Sequence, residues 1–343
     1  MKKLLNTLYV TVPGRYMSLD GENVVINEKD TEIGRVPLHN LDGIVLFGSN
    51  GASPALMGKC VEDGVSLSFM SRSGRFLCRA EGSVSGNVLL RRQQFRLADD
   101  PAASLKIAAN MIAGKIFNSR YSVERTIRDH SLKIDTEKFR QKSEFLQKAA
   151  RNALNAKSID ELRGIEGEAA SVYFSVFDDM ILQQKDEFFF HERNKRPPLD
   201  NVNALLSFAY SLMTGMCSDA LEAVGLDPYV GFMHTDRPGR RSLALDLVEE
   251  FRAVICDRFV LNLINKRSVS PSDFEKREDG AVLLTDNARK NFLSMWQSYK
   301  FEEIKHPFLN EKVERGLLPY VQALLLARCI RGDLDSYPVF MWK

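Results

Sequence analysis

The chain has 343 residues, 44% of them apolar, enough for two packed cores, because single cores stop growing beyond roughly 250–300 residues. Charged residues make up 27% of the chain but nearly cancel, leaving a net charge of +2, so any nucleic-acid binding must come from local patches rather than from an overall basic field. Five cysteines (Cys60, Cys78, Cys217, Cys256 and Cys329) stand singly with no CxxC pair, which argues against a disulfide framework, a structural zinc site and an iron–sulfur cluster.

At the N-terminus Lys2 and Lys3 precede an apolar run, but Asn6 and Thr7 interrupt it and no small-residue cleavage site follows. No later run reaches membrane-spanning length, so the expected setting is cytoplasmic with no membrane partner. From Thr7 to about Gly82, short β-branched and aromatic runs alternate with turn residues: TLYVTV, RYMSL, NVVINE, EIGRVPL, GIVLF, VSLSFM and RFLCRAEG. Asp20-Gly21 reads as a hairpin turn, and a helix should start at Ser53 with Pro54 in its first turn.

From about Leu90 the apolar period becomes helical. AASLKIAANMIAGKIFNSRYSVERTIRD predicts one long helix, and Ser158 with Glu161 predicts a capping box opening IDELRGIEGEAASVYFSVFDDMIL. Further helices are expected at about 201–223, 242–264, 285–303 and 311–332. The predicted fold class is therefore α+β. A small N-terminal β-rich, sandwich-like domain (1–90) is followed, after a charged, proline-containing connection (91–103), by a larger all-helical domain (104–343). Beyond about Leu284 no residue suggests chemistry.

Candidate chemistry gathers in the second half: Glu166 in RGIEGEAASVYF, His234 in DPYVGFMHTDRPGRR, and Glu249 in SLALDLVEEFR. One imidazole with two or three carboxylates is a hard, oxygen-rich set suited to Mg²⁺ or Mn²⁺ and to phosphodiester chemistry. On the helix near 242–260, Asp246 lies three residues before Glu249 and four before Glu250, so all three can share a face. A solvated acidic stripe, partly neutralised by Arg240, Arg241 and Arg252, fits the same spacing. His234 sits on an irregular stretch feeding that helix, and packing beside Tyr229, Phe232 and Met233 would also account for it. Gly164 and Gly167 flank Glu166 inside a helix at about 1 kcal/mol each, which points to close approach by a second helix or a ligand backbone, and Glu168 competes with Glu166. Basic residues lie near these acids: His191, Arg193, Lys195 and Arg196 in HERNKRPP, and Arg237, Arg240 and Arg241 in TDRPGRR. Guanidinium groups suit a polyanionic phosphodiester, although charged loops are also commonly just solvated. Arg91, Arg92 and Arg96 form a third basic group.

Four blocks, IVLFGSNGASPALMGKCVEDGVSLSFMSRSGRFLCR, ELRGIEGEAASVYF, RPPLDNVNALLSFAYSLM and GLDPYVGFMHTDRPGRRSLALDLVEEFR, resemble in order the universal CRISPR-associated adaptation integrase family. The resemblance implies that Glu166, in the GxEG element, His234 and Glu249 are the metal-binding and catalytic residues, with Asp246 as a supporting acid. It sets aside Glu168 and Glu250, which spacing alone leaves open. It implies a metal-dependent DNA endonuclease and integrase of CRISPR adaptation, joining prespacer 3′-hydroxyl ends to repeat boundaries by transesterification with Mg²⁺ or Mn²⁺. Arg196, Arg237, Arg240 and Arg241 would then contact DNA phosphates. The family's partners are prespacer and repeat DNA, a second copy of the chain in a homodimer built on the N-terminal domain, and a small ferredoxin-like CRISPR adaptation protein in a heterohexamer. The RPP and SLALDL blocks resemble the subtype I-C branch, where an iron–sulfur CRISPR nuclease often assists. Two other readings of the residues are a non-integrating metal-dependent phosphodiesterase and a non-catalytic helical scaffold for nucleic acid.

Overall fold

The computed structural model describes residues 6–29, 31–72, 76–82 and 88–342; Lys2 and Lys3 and the Arg75 that opens the last strand run lie outside them. The chain divides into two compact units, one of Met1–Gly86, Leu284–Glu303 and Glu314–Leu317, the other of Asn87–Leu283, Ile304–Val313 and Leu318–Lys343.

The first unit carries the anticipated strands: β1 (Thr7–Val10), β2 (Arg15–Asp20), β3 (Asn23–Glu28), β4 (Thr31–Pro37), β5 (Gly43–Phe47), a two-residue β6 (Gly51–Ala52), β7 (Ser66–Met70) and β8 (Phe76–Arg79). They form two four-stranded sheets, ordered β1-β5-β7-β8 and β4-β3-β2-β6. Gly21, at φ 57°, makes the turn that joins β2 to β3 in antiparallel register, Asp20 opposite Asn23. Between β6 and β7 runs α1 (Pro54–Asp63), whose N-cap Ser53 accepts a hydrogen bond from the Leu56 amide. Met17 and Val24 of one sheet, Ile44, Leu46 and Leu67 of the other, and Leu56 and Cys60 of α1 share one buried core.

The second unit begins with α2 (Val88–Asp99) and α3 (Pro101–His130). Residues 91–103, expected as a connection, are thus helical. Asp100 and Pro101 mark a helix start rather than a linker, since Asp100 caps the amides of Ala102 and Ala103 and Pro101 occupies the first turn. There follow α4 (Thr136–Leu154), whose buried stripe Phe139, Ser143, Leu146, Ala149 and Ala153 sequence reading passed over, α5 (Ile159–Phe174) and α6 (Asn201–Ala223). At the start of α5 Ser158 accepts from the Glu161 amide as expected, but the Glu161 carboxylate accepts from the Lys157 amide, one residue earlier than a capping box requires. The helix expected at 242–264 is broken into α7 (Ser242–Val248), a π-helical stretch at Arg252–Asp257 and α8 (Arg258–Asn265). Two small strand pairs follow, β9 (Phe274–Lys276) with β10 (Val282–Leu284), and β11 (Glu303–Lys305) with β12 (Lys312–Glu314). β12 occupies the first residues expected as the last helix, leaving α10 at Leu318–Arg331.

The helix between those pairs, α9 (Asp286–Lys300), belongs to the first unit. Asp286 pairs with Arg72 at 2.6 Å, the Arg289 guanidinium lies over the Phe47 ring, and Phe292, Leu293 and Trp296 are buried. Near its end the buried Lys300 ammonium donates to Thr7 Oγ1 at 3.0 Å. Burial pushes the Lys300 pKa down to about 8, only partly opposed by Asp42.

Two predictions follow from this packing. A Cβ at Gly114, buried in α3, would run into the Val339 side chain, whereas one at Gly164 in α5 would meet no atom within 4 Å. Gly114→Ala should therefore lower stability by about 1–2 kcal/mol, overpacking outweighing helix propensity, while Gly164→Ala raises it by up to about 1 kcal/mol; urea unfolding of the two variants measures both. The depressed Lys300 pKa means that folding is disfavoured by the charged form: its contribution is complete above the unfolded pKa and is lost as pH falls through about 8. Lys300→Met should raise the melting temperature at pH 7, by a stability gain of roughly 1–3 kcal/mol that shrinks towards pH 10.

Candidate active site

His234 lies on a loop whose backbone has few amide partners of its own, so helices supply them. From α2, Gln94 Nε2 donates to the carbonyls of Asp227 (2.7 Å) and Val230 (2.9 Å), and Gln94 Oε1 accepts from the Asp227 amide. From α3, Ser104 Oγ donates to the Phe232 carbonyl. From α5, Arg163 donates to the Met233 carbonyl (3.1 Å) and Thr235 Oγ1 (2.8 Å). The loop repays α7, whose N-cap Arg241 offers no side-chain cap, because Pro228 O accepts from the Leu243 and Ala244 amides.

Asp246, one turn into α7, is the centre of this arrangement. Its Oδ2 accepts from the amides of Phe232 (2.6 Å) and Met233 (3.0 Å), and its Oδ1 from the His234 amide (2.9 Å) and lies 2.6 Å from His234 Nδ1. With Nδ1–H donated to Asp246, the imidazole keeps its lone pair on Nε2, the arrangement seen in ligating histidines. Gly231 is obligatory here, as a Cβ would come within 2.8 Å of Asp246 Oδ2 and of Ser242 Cβ.

The acids of α7 and the turn after it do not crowd one face. Asp246 points to the histidine loop. Glu250 is buried elsewhere, accepting from Gln322 Nε2, the Tyr337 hydroxyl and the Phe340 amide. Glu249 faces Glu166 of α5, and the ammonium of Lys115 from α3 stands between them, paired with Glu166 Oε1 and 2.7 Å from Glu249 Oε2. Arg252 holds Glu249 Oε1 at 3.1 Å. Burial pushes the Glu249 carboxyl up, but the neighbouring Arg252 and Lys115 charges outweigh it and hold it at about 2. Burial likewise disfavours the charged Lys115, yet Glu249 and Glu166 raise its pKa above the ordinary lysine value.

Glu166, His234 and Glu249 line one cavity of about 410 Å³, together with Arg163, Arg237 and Arg240. Arg241 instead lies over the Tyr229 ring, and Arg196 is exposed and outside this cavity. A second cavity of about 100 Å³ shares Glu166 and adds Lys115, Tyr173, Tyr210 and Asp257, the two tyrosine hydroxyls donating to Asp257 at 3.0 and 2.6 Å. Arg193 of the basic HERNKRPP run is used internally, donating to Asn203 Oδ1 and Ser207 Oγ. Gly164 and Gly167 meet no helix: an added Cβ at either has nothing within 4 Å, so the helix crossing that they suggested does not form. Among the described residues, no group of three or more His, Cys, Asp and Glu side chains is drawn together closely enough to hold an ion. Gln94, Ser104, Arg163, Lys115 and Asp257 are site features that the sequence reading did not single out, whereas Tyr173 and Tyr210 lie in the resembling blocks; the helical period placing Arg163 one turn before Glu166 was the one available signal for the rest.

Residues 8–298 match the family model described as CRISPR associated protein Cas1. The chain belongs to the Cas1 family. It is 50% identical over the full length of both chains to the CRISPR-associated endonuclease Cas1 1 of Chlorobaculum tepidum, and 43% identical, again over both full lengths, to that of Moorella thermoacetica. A Cas4 exonuclease/Cas1 endonuclease fusion from Geobacter sulfurreducens is 36% identical, matching 98% of this chain and 60% of its own. The fold is similar to that of a Cas1 protein from Thermotoga maritima (TM-score 0.81, 20% identity, 98% and 100% of the two chains) and of a casposase bound to integration product (TM-score 0.83, 22% identity, 96% and 92%). These relationships to Cas1 endonucleases make the chain an enzyme of the nuclease class, and the similar folds fit the α+β order of strands, then helices. No helix among the described residues is long and apolar enough to cross a membrane.

Asp246→Asn keeps the packing but removes an acceptor oxygen and the charge facing His234. It should destabilise the protein by about 1–3 kcal/mol in urea and weaken Mn²⁺ binding, measured by titration calorimetry, on the order of 10–100-fold.

Proposed function

We propose that the protein is the integrase of CRISPR adaptation, joining a prespacer 3′-hydroxyl to a phosphodiester at the repeat boundary by transesterification. One observation carries the reading. An imidazole with its Nε2 lone pair free and two carboxylates from separate helices face one cavity, at residues embedded in a chain of the Cas1 family.

By donor type, one imidazole and two carboxylates suit a hard divalent cation that draws them together. Glu249 Oε2 is buried and accepts no well-directed hydrogen bond even though Lys115 Nζ is near, and the place between Glu166 and Glu249 already holds a positive charge. Glu166, His234 and Glu249 would hold Mg²⁺ or Mn²⁺, both compatible with one nitrogen and carboxylate oxygens. When bound, such an ion supplies Lewis-acid stabilisation of the charge that develops on the phosphodiester oxygens. Asp246 fixes the imidazole, Arg163 fixes the Met233 carbonyl and the Thr235 hydroxyl on either side of it, and Arg237 and Arg240 at the cavity wall hold phosphates without reading bases. Arg241, packed on Tyr229, and Arg196 are left for phosphates outside the cavity.

The proposed partners are DNA, a second copy of the chain and the small ferredoxin-like CRISPR adaptation protein in a heterohexamer. In line with this, similar folds occur in a Cas6-RT-Cas1–Cas2 complex, of which the matching part is 36% of the chain concerned (TM-score 0.82, 20% identity, all of this chain). The Cas4–Cas1 fusion supports an iron–sulfur nuclease as a further partner.

Strand joining tests the proposal: purified protein with its small partner, a 3′-hydroxyl duplex and a supercoiled plasmid carrying a CRISPR repeat. Joining should require Mg²⁺ or Mn²⁺, cease with EDTA, and fall on the order of 100-fold or more in a folded His234→Ala variant. Joining that survives this substitution would remove His234 from the reacting centre. Hydrolysis without joining would favour a phosphodiesterase.

A further inference from the structure

The two glutamates that face the cavity are held together by a lysine. Lys115 rises from the middle of α3 and its ammonium pairs with Glu166 Oε1 and approaches Glu249 Oε2, with only 13% of its side chain exposed. A divalent cation bound by these carboxylates would sit within a few ångströms of that ammonium. At such a distance in a poorly solvated site two positive centres repel by several kcal/mol, so they cannot share the same oxygens.

We propose that Lys115 is a built-in competitor for the metal: its ammonium bridges Glu166 and Glu249 in the metal-free protein and must withdraw before a divalent cation takes its place. The proposal rests on the reading of Glu166, His234 and Glu249 as metal ligands. Arg252 shows by contrast what a fixed counter-charge looks like. Its guanidinium holds the other Glu249 oxygen and lies 5.0 Å from the centre of the Tyr210 ring, a planar group locked by packing. Lys115 has a flexible four-carbon stem, and it lines the cavity of about 100 Å³ that holds Asp257 together with Arg193, Lys195 and Arg252, which gives the displaced ammonium room beside an acid that other cations share.

The test is binding of Mn²⁺ alone, followed by the electron paramagnetic resonance signal of the free ion, with thermal melting of the same samples. Lys115→Met and Lys115→Gln should each bind Mn²⁺ on the order of tenfold more tightly than the unsubstituted protein, melt earlier without metal, and gain more from its addition. Lys115→Gln retains N–H donors, so it keeps the test open if Lys115→Met fails to fold. Adding Glu166→Gln to either variant should abolish the gain. Unchanged or weaker Mn²⁺ binding by the lysine variants, with Glu166→Gln alone weakening it, would overturn the competitor role while leaving the metal site intact. A gain that persists after Glu166→Gln, or no Mn²⁺ binding by any variant, would overturn both.

Discussion

The Asp227–Thr235 segment brings irregular backbone into a partly buried setting, and a chain without regular structure there has amides and carbonyls that cost about 1–3 kcal/mol each if left unpaired. Four helices meet that demand with side chains: Gln94, Ser104, Arg163 and Asp246. Because each reaches the loop from a different direction, His234 is fixed by the packing of the helical unit as a whole. This is why residues 91–103 are helical. A flexible connection there could not hold Gln94 and Ser104 against the loop, and the site depends on both.

Periodicity and turn chemistry located most elements of the fold because they are local properties. The Asp20-Gly21 hairpin, the Ser53-Pro54 helix start and the helix at 201–223 need only nearest-neighbour physics. What periodicity misplaced depended on distant partners. The helix expected at 242–264 breaks after Val248 and resumes as a π-helical stretch at Arg252, with Glu249 and Glu250 turned to separate partners between the two, and α9 leaves the helical unit to pack against Arg72 and Phe47. Asp100-Pro101 was misread because aspartate and proline punctuate both loops and helix starts, and only the cap hydrogen bonds distinguish them.

The candidate site was partly legible in the same sense. Residue type and position nominated Glu166 or Glu168, and His234, while helical spacing nominated Asp246, Glu249 and Glu250 and could not separate the last two, because a one-residue step along a helix changes the face but not the residue type. Their surroundings separate them. Glu249 is held at about 2 by two cations, whereas burial pushes Glu250 up to about 7 even though Tyr337, Gln322 and the Phe340 amide donate to it. Adjacent glutamates therefore differ in acidity, one suited to a cation and the other to a closed hydrogen-bonded core. Lys115 was invisible to this reasoning, since a lysine in a helix named AGKIFNSR carries no mark of the acids it will meet.

The electrostatics of the cavity connect these points. Glu166 and Glu249 are balanced by Lys115 and Arg252, and Asp246 is compensated by amide donors, so the carboxylate pair itself adds little to the attraction that Arg237 and Arg240 at the cavity wall offer a polyanion. Exchange of a divalent ion for the Lys115 bridge, with the lysine kept nearby by its tether to α3, turns that balance positive beside Arg237 and Arg240. On this reading metal loading and phosphodiester affinity rise together, because a divalent ion brings two positive charges to carboxylates that the Lys115 ammonium meets with one. The buried carboxylates would then owe their metal-free stability to a lysine whose removal favours the ion.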